Sequence, residues 1–241
     1  MKYYTYYPGC SCEEGTATAY GMSALAVAKA LDVELIELED WNCCGSSPYN
    51  SVDELGSLCL AARNLSLAEK KGLDVVTPCS SCYIMLDRVN HHLKESPKVK
   101  AKVDEALAAG GIEYKGTVKT RHMLDVFVND VGYDAIKSKV KNNLGELKVA
   151  PYYGCQVVRP GPSFDHPENP QTMERLIESL GAKATLFPLK ARCCGGSLVI
   201  PEEDIALELT YKLLENAVSN GAECIITVCP LCQVNLDIYQ G

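Results

Sequence analysis

Two stretches of the chain carry the same five cysteines in the same order, and this repetition limits the possible folds more than any other feature. The first set is Cys10, then Cys43-Cys44-Gly45, then Cys79-Ser80-Ser81-Cys82. The second is Cys155, then Cys193-Cys194-Gly195, then Cys229-Pro230-Leu231-Cys232. In both copies 34 residues separate the vicinal pair from the Cys-x-x-Cys, while 32 and 37 residues precede the pair. Ten of the thirteen cysteines are used in this way. Thiolates repeated at this spacing predict two metal centres.

The surrounding chain suits a soluble, metal-loaded protein. Its 241 residues can bury a large core. A formal charge of −8 without a basic run excludes nucleic acid as a partner, since phosphate binding needs clustered Lys and Arg. The N-terminal Met1-Lys2-Tyr3-Tyr4-Thr5-Tyr6-Tyr7 has no apolar leader core, and no stretch reaches membrane-spanning length. An odd number of cysteines without an export signal favours metal ligation over disulfides and a cytoplasmic place, with peripheral attachment to a membrane complex open.

Element patterns place the cysteines. Residues 2–7 read as a strand ending at Pro8-Gly9-Cys10, Thr16 to Leu31 as a helix, and Val33 to Leu38 as a strand leading to Cys43-Cys44. Ser51 reads as the N-cap of a helix running to Lys71, with Glu54 in a capping box and Gly72 as its stop. Leu73 to Thr77 is a buried strand aimed at Cys79, and a helix follows Cys82. Gly110-Gly111 divides a helix from a strand at Tyr114 to Lys119, and Leu124 to Lys141 forms connecting helices. The second half repeats the scheme. Lys148 to Tyr153 is a strand, Asn169-Pro170 opens a helix to Leu180, and Ala184 to Leu189 is a strand. Pro201 to Asn220 is a helix and Cys224 to Val228 the last strand. The fold class is α/β, two duplicated parallel-sheet β-α-β-α-β units with the metal sites at the strand carboxyl ends. Residues 1–125 make the first domain with its linker; 126–241 make the connecting helices and the second domain.

The duplication also sorts the ligands. Cys12 falls opposite Val157, Cys59 opposite Leu209 and Cys224 opposite Asp74, so these three read as structural. Five thiolates per half are too many for one zinc and one more than a cubane cluster takes, which points to an unusual iron–sulfur centre.

With both Cys-Cys-Gly copies in view, the chain resembles the doubled cysteine-rich (CCG) domain of the heterodisulfide reductase B subunit over nearly its whole length. The phrases Arg121-His122-Met123-Leu124-Asp125-Val126 and Asn169-Pro170-Gln171-Thr172-Met173-Glu174-Arg175-Leu176 add to the likeness. The resemblance implies two non-cubane [4Fe-4S] clusters. Cys10, Cys43, Cys44, Cys79 and Cys82 would hold the first, and Cys155, Cys193, Cys194, Cys229 and Cys232 the second. It implies an oxidoreductase acting on sulfur groups, of the methanogenesis type that cleaves CoM-S-S-CoB or a related heterodisulfide, with one electron from each of two clusters facing one cavity. No flavin or nucleotide fingerprint is present. Electrons would come from two other members of a heterodisulfide reductase complex, a small cubane iron–sulfur protein like its C subunit and a flavoprotein like its A subunit. The alternative is an electron-transfer iron–sulfur subunit of a flavin-dependent complex that binds no disulfide; a zinc-only module is a third.

Anionic groups on such a substrate need cations, for which Arg159, Lys190 and Arg192 are candidates. His122 and His166 are candidate proton donors. Gly45 stands where some methanogen members carry proline, a departure that bears on which disulfide is taken. Only nine residues follow Cys232, where family members usually continue, so the expectation is that a partner protein shields the second cluster or that the native chain is longer.

Overall fold

The computed structural model describes residues 2–13, 15–46, 48–159 and 164–240, which form two compact α/β units divided between Met123 and Leu124. The first contains β1 (Lys2–Tyr6), α1 (Cys10–Glu13), α2 (Thr18–Ala30), β2 (Val33–Glu37), α3 (Pro48–Val52), α4 (Glu54–Lys71), β3 (Val75–Thr77), α5 (Ser80–Glu95), α6 (Pro97–Ala109) and β4 (Thr120–His122). Its strands are parallel in the order β2-β1-β3-β4, with Lys2 beside Val33, Thr5 beside Val75 and Val75 beside Thr120. The inner strand β3 is buried throughout, as expected of a parallel strand covered on both faces. The helices α4 and α5 supply much of the cover through Leu58, Ala62, Leu65, Leu86 and Val89. Burying each leucine contributes about 1.5–3 kcal/mol relative to exposing it.

After α7 (Met123–Asp125) come a π-helical turn (Val126–Val131), α8 (Tyr133–Lys139), β5 (Lys148–Tyr152), α9 (Thr172–Ser179), β6 (Lys183–Ala184), α10 (Glu203–Ser219), β7 (Cys224–Thr227) and α11 (Pro230–Ile238). Their sheet is again parallel, ordered β6-β5-β7. Val128, Tyr153, Val157, Val158, Met173 and Ala191 form one buried cluster; Val149, Ile177 and Ala182 form another.

Several boundaries differ from the sequence expectations for identifiable reasons. The long helix α4 is capped by Asp53 rather than Ser51: the Asp53 carboxylate accepts from Gly56 N at 2.8 Å, and residues 48–52 make a separate turn. Gly72 does stop it, at φ +66°. The strand expected at 114–119 is a loop. Its amides donate to side chains instead of a ladder, Lys115 and Thr117 to Glu69 and Lys119 to Asp74, so pairing begins only at Thr120. Helix α9 starts at Thr172 rather than Pro170, because the distant Asp165 carboxylate accepts from the amides of Gln171 and Thr172. The strand expected at 184–189 shrinks to Lys183–Ala184, since Pro151 and Pro188 both lack the N–H that a longer ladder needs. The helix after Cys82 in fact starts at Ser80, which puts the Cys-x-x-Cys in its first turn.

Candidate metal centres

Parallel strands fix where the cysteines arrive. Cys10 follows β1, Cys43-Cys44 follow β2 and Cys79 follows β3, all beyond carboxyl ends; Cys155, Cys193-Cys194 and Cys229 follow β5, β6 and β7 likewise. Each unit thereby gathers its five sulfurs. In the first, Cys10 hydrogen-bonds Cys43, Cys43 hydrogen-bonds Cys44, Cys44 Sγ lies 3.5 Å from Cys82 Sγ, and Cys82 hydrogen-bonds Cys79, all as free thiols. In the second, Cys155 hydrogen-bonds Cys193, Cys194 Sγ lies 3.5 Å from Cys232 Sγ, and Cys232 hydrogen-bonds Cys229. The Cys193 thiolate also faces those of Cys194 and Cys229.

Crowded thiols cannot all ionise together, so their pKa values spread apart. The hydrogen bond from Cys10 is the main cause that holds Cys43 down to about 2, and Cys10 itself is pushed up by the same contact. Cys44 rises to about 12, chiefly through Cys43. In the second unit Cys155 holds Cys193 at about 6, while Cys232 is raised by Cys194, Cys229 and burial. A cation that accepts several thiolates would relieve this mutual repulsion.

The backbone makes room for such a group. Gly9 and Gly154 have φ of +76° and +69°, and a Cβ there would stand 2.9 Å from Cys82 Sγ and 3.1 Å from Cys232 Sγ. Gly45 and Gly195, at +74° and +79°, turn the vicinal pairs against the next helix, where a Cβ would meet Cα of Ser57 at 3.0 Å and of Ala206 at 2.8 Å. Among the described residues no three His, Cys, Asp or Glu side chains converge as one metal ion would require. A set of five neighbouring thiols, spread in this way and crowded by no side chain at the glycines, fits a polynuclear iron–sulfur group better than one zinc held by four donors.

Two tyrosines that the sequence patterns do not single out complete each cradle. Tyr7 and Tyr152 are wholly buried and donate their hydroxyls to the carbonyls just before the vicinal pairs, Asn42 O and Arg192 O, at 2.7 Å in both cases. Burial raises both phenol pKa values, and four of the five cysteines in each unit raise them further. The signal was present as a shared Tyr-x-Gly-Cys before the first cysteine of each set. Asn64 further ties the first loop by exchanging two hydrogen bonds with the Asn42 backbone, and Thr210 and Asn235 hold Cys194 O in the second.

The three remaining cysteines have other neighbours. Cys12 is buried next to Tyr6, Cys59 is half-buried on α4 next to Asp53, and Cys224 lies on β7 against the Val149–Ile177 cluster. The helix register also corrects one pairing. Gly195 meets Ala206 as Gly45 meets Ser57, so α4 and α10 correspond at an offset of 149 and Cys59 falls opposite Glu208, not Leu209.

Of the candidate substrate contacts, Lys190 is committed to structure: its ammonium is 2.5 Å from Glu174 Oε1 and 2.5 Å from Pro170 O, over the Tyr153 ring. Arg159 pairs with Glu168 and donates to Ala191 O. Arg192 is exposed beside Cys193, and among the described residues its guanidinium has no acidic partner. His166 is exposed, its Nδ1 facing the amides of Glu168 and Asn169. His122 ends β4, buried, with its ring edge-on to Tyr83 at 5.8 Å.

Known proteins are similar to this chain. The family described as "Cysteine-rich domain" (CCG) matches twice, at residues 4–87 and 149–237. The 8-methylmenaquinol:fumarate reductase membrane anchor subunit of Wolinella succinogenes is 39% identical over 242 residues, covering 100% of this chain and 84% of that one. A protein of Archaeoglobus profundus, described as like the heterodisulfide reductase B subunit, is 35% identical, covering 91% and 76%. The B subunit of the ferredoxin/F(420)H(2)-dependent CoB-CoM heterodisulfide reductase of Methanosarcina acetivorans is 33% identical, covering 87% and 71%. In fold, a hypothetical protein from Helicobacter pylori matches with a TM-score of 0.69 at 14% identity, over 97% of this chain and 42% of that one. Two complete cysteine sets, two family matches and this similarity along the chain give one conclusion: the chain belongs to the cysteine-rich CCG-domain family, as a two-copy member of the heterodisulfide reductase B-subunit type.

Proposed function

We propose that the chain is the disulfide-reducing component of a heterodisulfide reductase-type complex, with one iron–sulfur cluster held by each five-cysteine set. The observation that carries this reading is the gathering, twice over, of one distant cysteine, one vicinal pair and one Cys-x-x-Cys into a single sulfur cradle. Cys10, Cys43, Cys44, Cys79 and Cys82 would hold the first cluster, and Cys155, Cys193, Cys194, Cys229 and Cys232 the second, each of the non-cubane [4Fe-4S] kind. When bound, such a cluster supplies electrons singly, and two of them match the two-electron cleavage of a disulfide.

The chain's own residues set the conditions. Gly9 and Gly154 keep side chains out of each cradle, and Tyr7 and Tyr152 fix the loops that carry the vicinal pairs. Arg192 lies beside Cys193, where it can hold an anionic end of a substrate. Its neighbours Lys190 and Arg159 would act from behind, by shaping the loop. His166 Nδ1 serves as an acceptor for two amides, which leaves Nε2 as the atom that can give up a proton. A cubane iron–sulfur protein and a flavoprotein, the partners expected of a heterodisulfide reductase complex, would supply electrons.

A second reading is favoured by the similarity to the fumarate reductase membrane anchor: electron transfer within a membrane-associated reductase, with substrate turned over elsewhere. No helix among the described residues is long and apolar enough to cross a membrane. Adding the CoM–CoB heterodisulfide to the dithionite-reduced, iron-loaded chain separates the readings. Reoxidation with a substrate-dependent EPR signal supports the reductase; an inert, still-reduced chain removes it.

A further inference from the structure

The two vicinal pairs are anchored by different means. In the first unit one side chain of α4 grips the residues that lead into the pair. Arg63 Nη1 donates to Asp40 O at 2.6 Å and to Asn42 Oδ1 at 2.8 Å, and Nη2 donates to the Asp40 carboxylate at 2.6 Å. Asp40 lies in the left-handed region at φ +56°, which few residues other than glycine adopt. Trp41 packs edge-on against the Tyr7 ring at 5.4 Å, and Asn64 holds the Asn42 backbone at both its amide and its carbonyl.

The Asn42 carboxamide passes this grip on to the first sulfur of the pair. Its oxygen accepts from Arg63, and its nitrogen donates to Cys43 O at 2.7 Å. With the oxygen held by a guanidinium, the amide presents its N–H side to Cys43. Cys43 is central in its set, since its sulfur meets both Cys10 and Cys44 and accepts from the amides of Cys44 and Gly45. The second unit has no such relay among the described residues. At the offset of 149, Lys212 stands in the place of Arg63 and pairs with Glu208 one turn back on its own helix, and buried Leu213 stands in the place of Asn64. Arg192 precedes the pair where Asn42 does in the first, and the loop is held after the pair instead, by Thr210 and Asn235 on Cys194 O.

We propose that Arg63 is a positioning residue of the first centre: its fork fixes the Asn42 carboxamide, which holds Cys43 and draws negative charge from the Cys43 carbonyl. The inference rests on the cluster reading of the five thiols. Hydrogen bonds around an iron–sulfur group help to set its reduction potential. The relay therefore makes the first centre easier to reduce than it would be without Arg63, and it leaves the second centre untouched. Lysine cannot replace the fork, because gripping a carbonyl, a carboxamide and a carboxylate together takes the planar guanidinium with its five donors. An ordinary surface ion pair would not reach Cys43. Here the Arg63 side chain is only 27% exposed, and two of its three bonds go to uncharged groups of the loop.

The test uses the iron-loaded full chain with Arg63→Lys and Arg63→Met, and Lys212→Met as the matching change in the second unit. Redox titration followed by EPR should show one of two midpoints lowered in both Arg63 variants by about 59 mV, a tenfold change in a one-electron equilibrium. Neither midpoint should move in Lys212→Met. Full rescue by lysine assigns the effect to charge alone and overturns the proposal. So does a lower melting temperature with both midpoints and both spectra unchanged, or an equal shift at both centres. Where a preparation lacks iron at the first centre, hydrogen exchange at Cys44 and Gly45 replaces the midpoint as the readout. It should quicken about tenfold in Arg63→Lys while Val75–Thr77 of β3 keep their rates. Equal rates at Cys44 and Gly45, or the same acceleration in β3, overturn the role of Arg63. A wild-type chain without iron at either set defeats the cluster reading alone.

Discussion

Replacing Gly9 by alanine tests the sulfur cradle most directly, with Gly72→Ala as its internal control. Both glycines are left-handed, at φ +76° and +66°, so an alanine at either costs about 1–2 kcal/mol in backbone strain. At Gly72 a new Cβ meets nothing within 4 Å, and strain is the whole cost. At Gly9 it stands 2.9 Å from Cys82 Sγ, closer than atoms of that size can approach. That sulfur is buried, anchored in the first turn of α5 and already 3.5 Å from Cys44 Sγ, so it cannot simply retreat. Overpacking at such a site adds about 1–3 kcal/mol. Gly72→Ala should therefore lower the melting temperature by a few degrees and keep full iron, at roughly 2–4 °C per kcal/mol for a chain of this size. Gly9→Ala should lose about twice as much stability and about four of some eight irons, the count for two four-iron clusters. Metal analysis per chain and thermal unfolding read both effects. Full iron in Gly9→Ala, with a melting loss no larger than that of Gly72→Ala, would show that Gly9 does not keep space for a cluster.

Tyr152→Phe should cost more than Tyr7→Phe, about 1–3 against 1 kcal/mol in urea unfolding, because Asn42 O retains a bond from Asn64 while Arg192 O loses its hydroxyl donor. Lys190→Met should destabilise the chain by about 2–4 kcal/mol by leaving the Glu174 carboxylate without its cation and with the Tyr153 hydroxyl still donating to it, with Lys190→Met/Glu174→Gln recovering part of the loss; unchanged stability with a raised KM for disulfide would make Lys190 a substrate contact instead. Burial, opposed by His91 and Lys94, raises the Asp87 pKa, so the folded chain holds that proton more tightly than the unfolded chain. Stability should fall as pH climbs above the ordinary carboxylate range, and Asp87→Asn should flatten that slope in urea midpoints taken from about pH 4 to 7.

The cysteine sets and the parallel α/β scheme were legible in the sequence because each rests on a local signal: apolar strand runs, glycine stops and repeated spacing. The role of the cradle tyrosines was not, since the shared Tyr-x-Gly-Cys marks Tyr7 and Tyr152 without naming the carbonyls, 35 and 40 residues away, that receive their hydroxyls. The same non-local bonding moved a strand. Residues 114–119 carry a β-prone pattern, but Glu69 and Asp74 capture the amides of Lys115, Thr117 and Lys119, and pairing with β3 runs over Thr120–His122. Duplication itself misled on one point. Aligning the halves through cysteines assumes a constant offset, yet the contact of Gly45 with Ser57 and of Gly195 with Ala206 shows that the intervening helix has slipped by one residue. A one-residue slip turns a helix by about 100°. Under the cysteine offset, Leu58 and Ala62 would match Glu208 and Lys212, and α10 would look like an ordinary solvated face. Under the contact offset they match Leu207 and Tyr211, and an exposed apolar stripe appears. Packing of glycine against helix, rather than cysteine spacing, is therefore the measure by which the two halves should be compared.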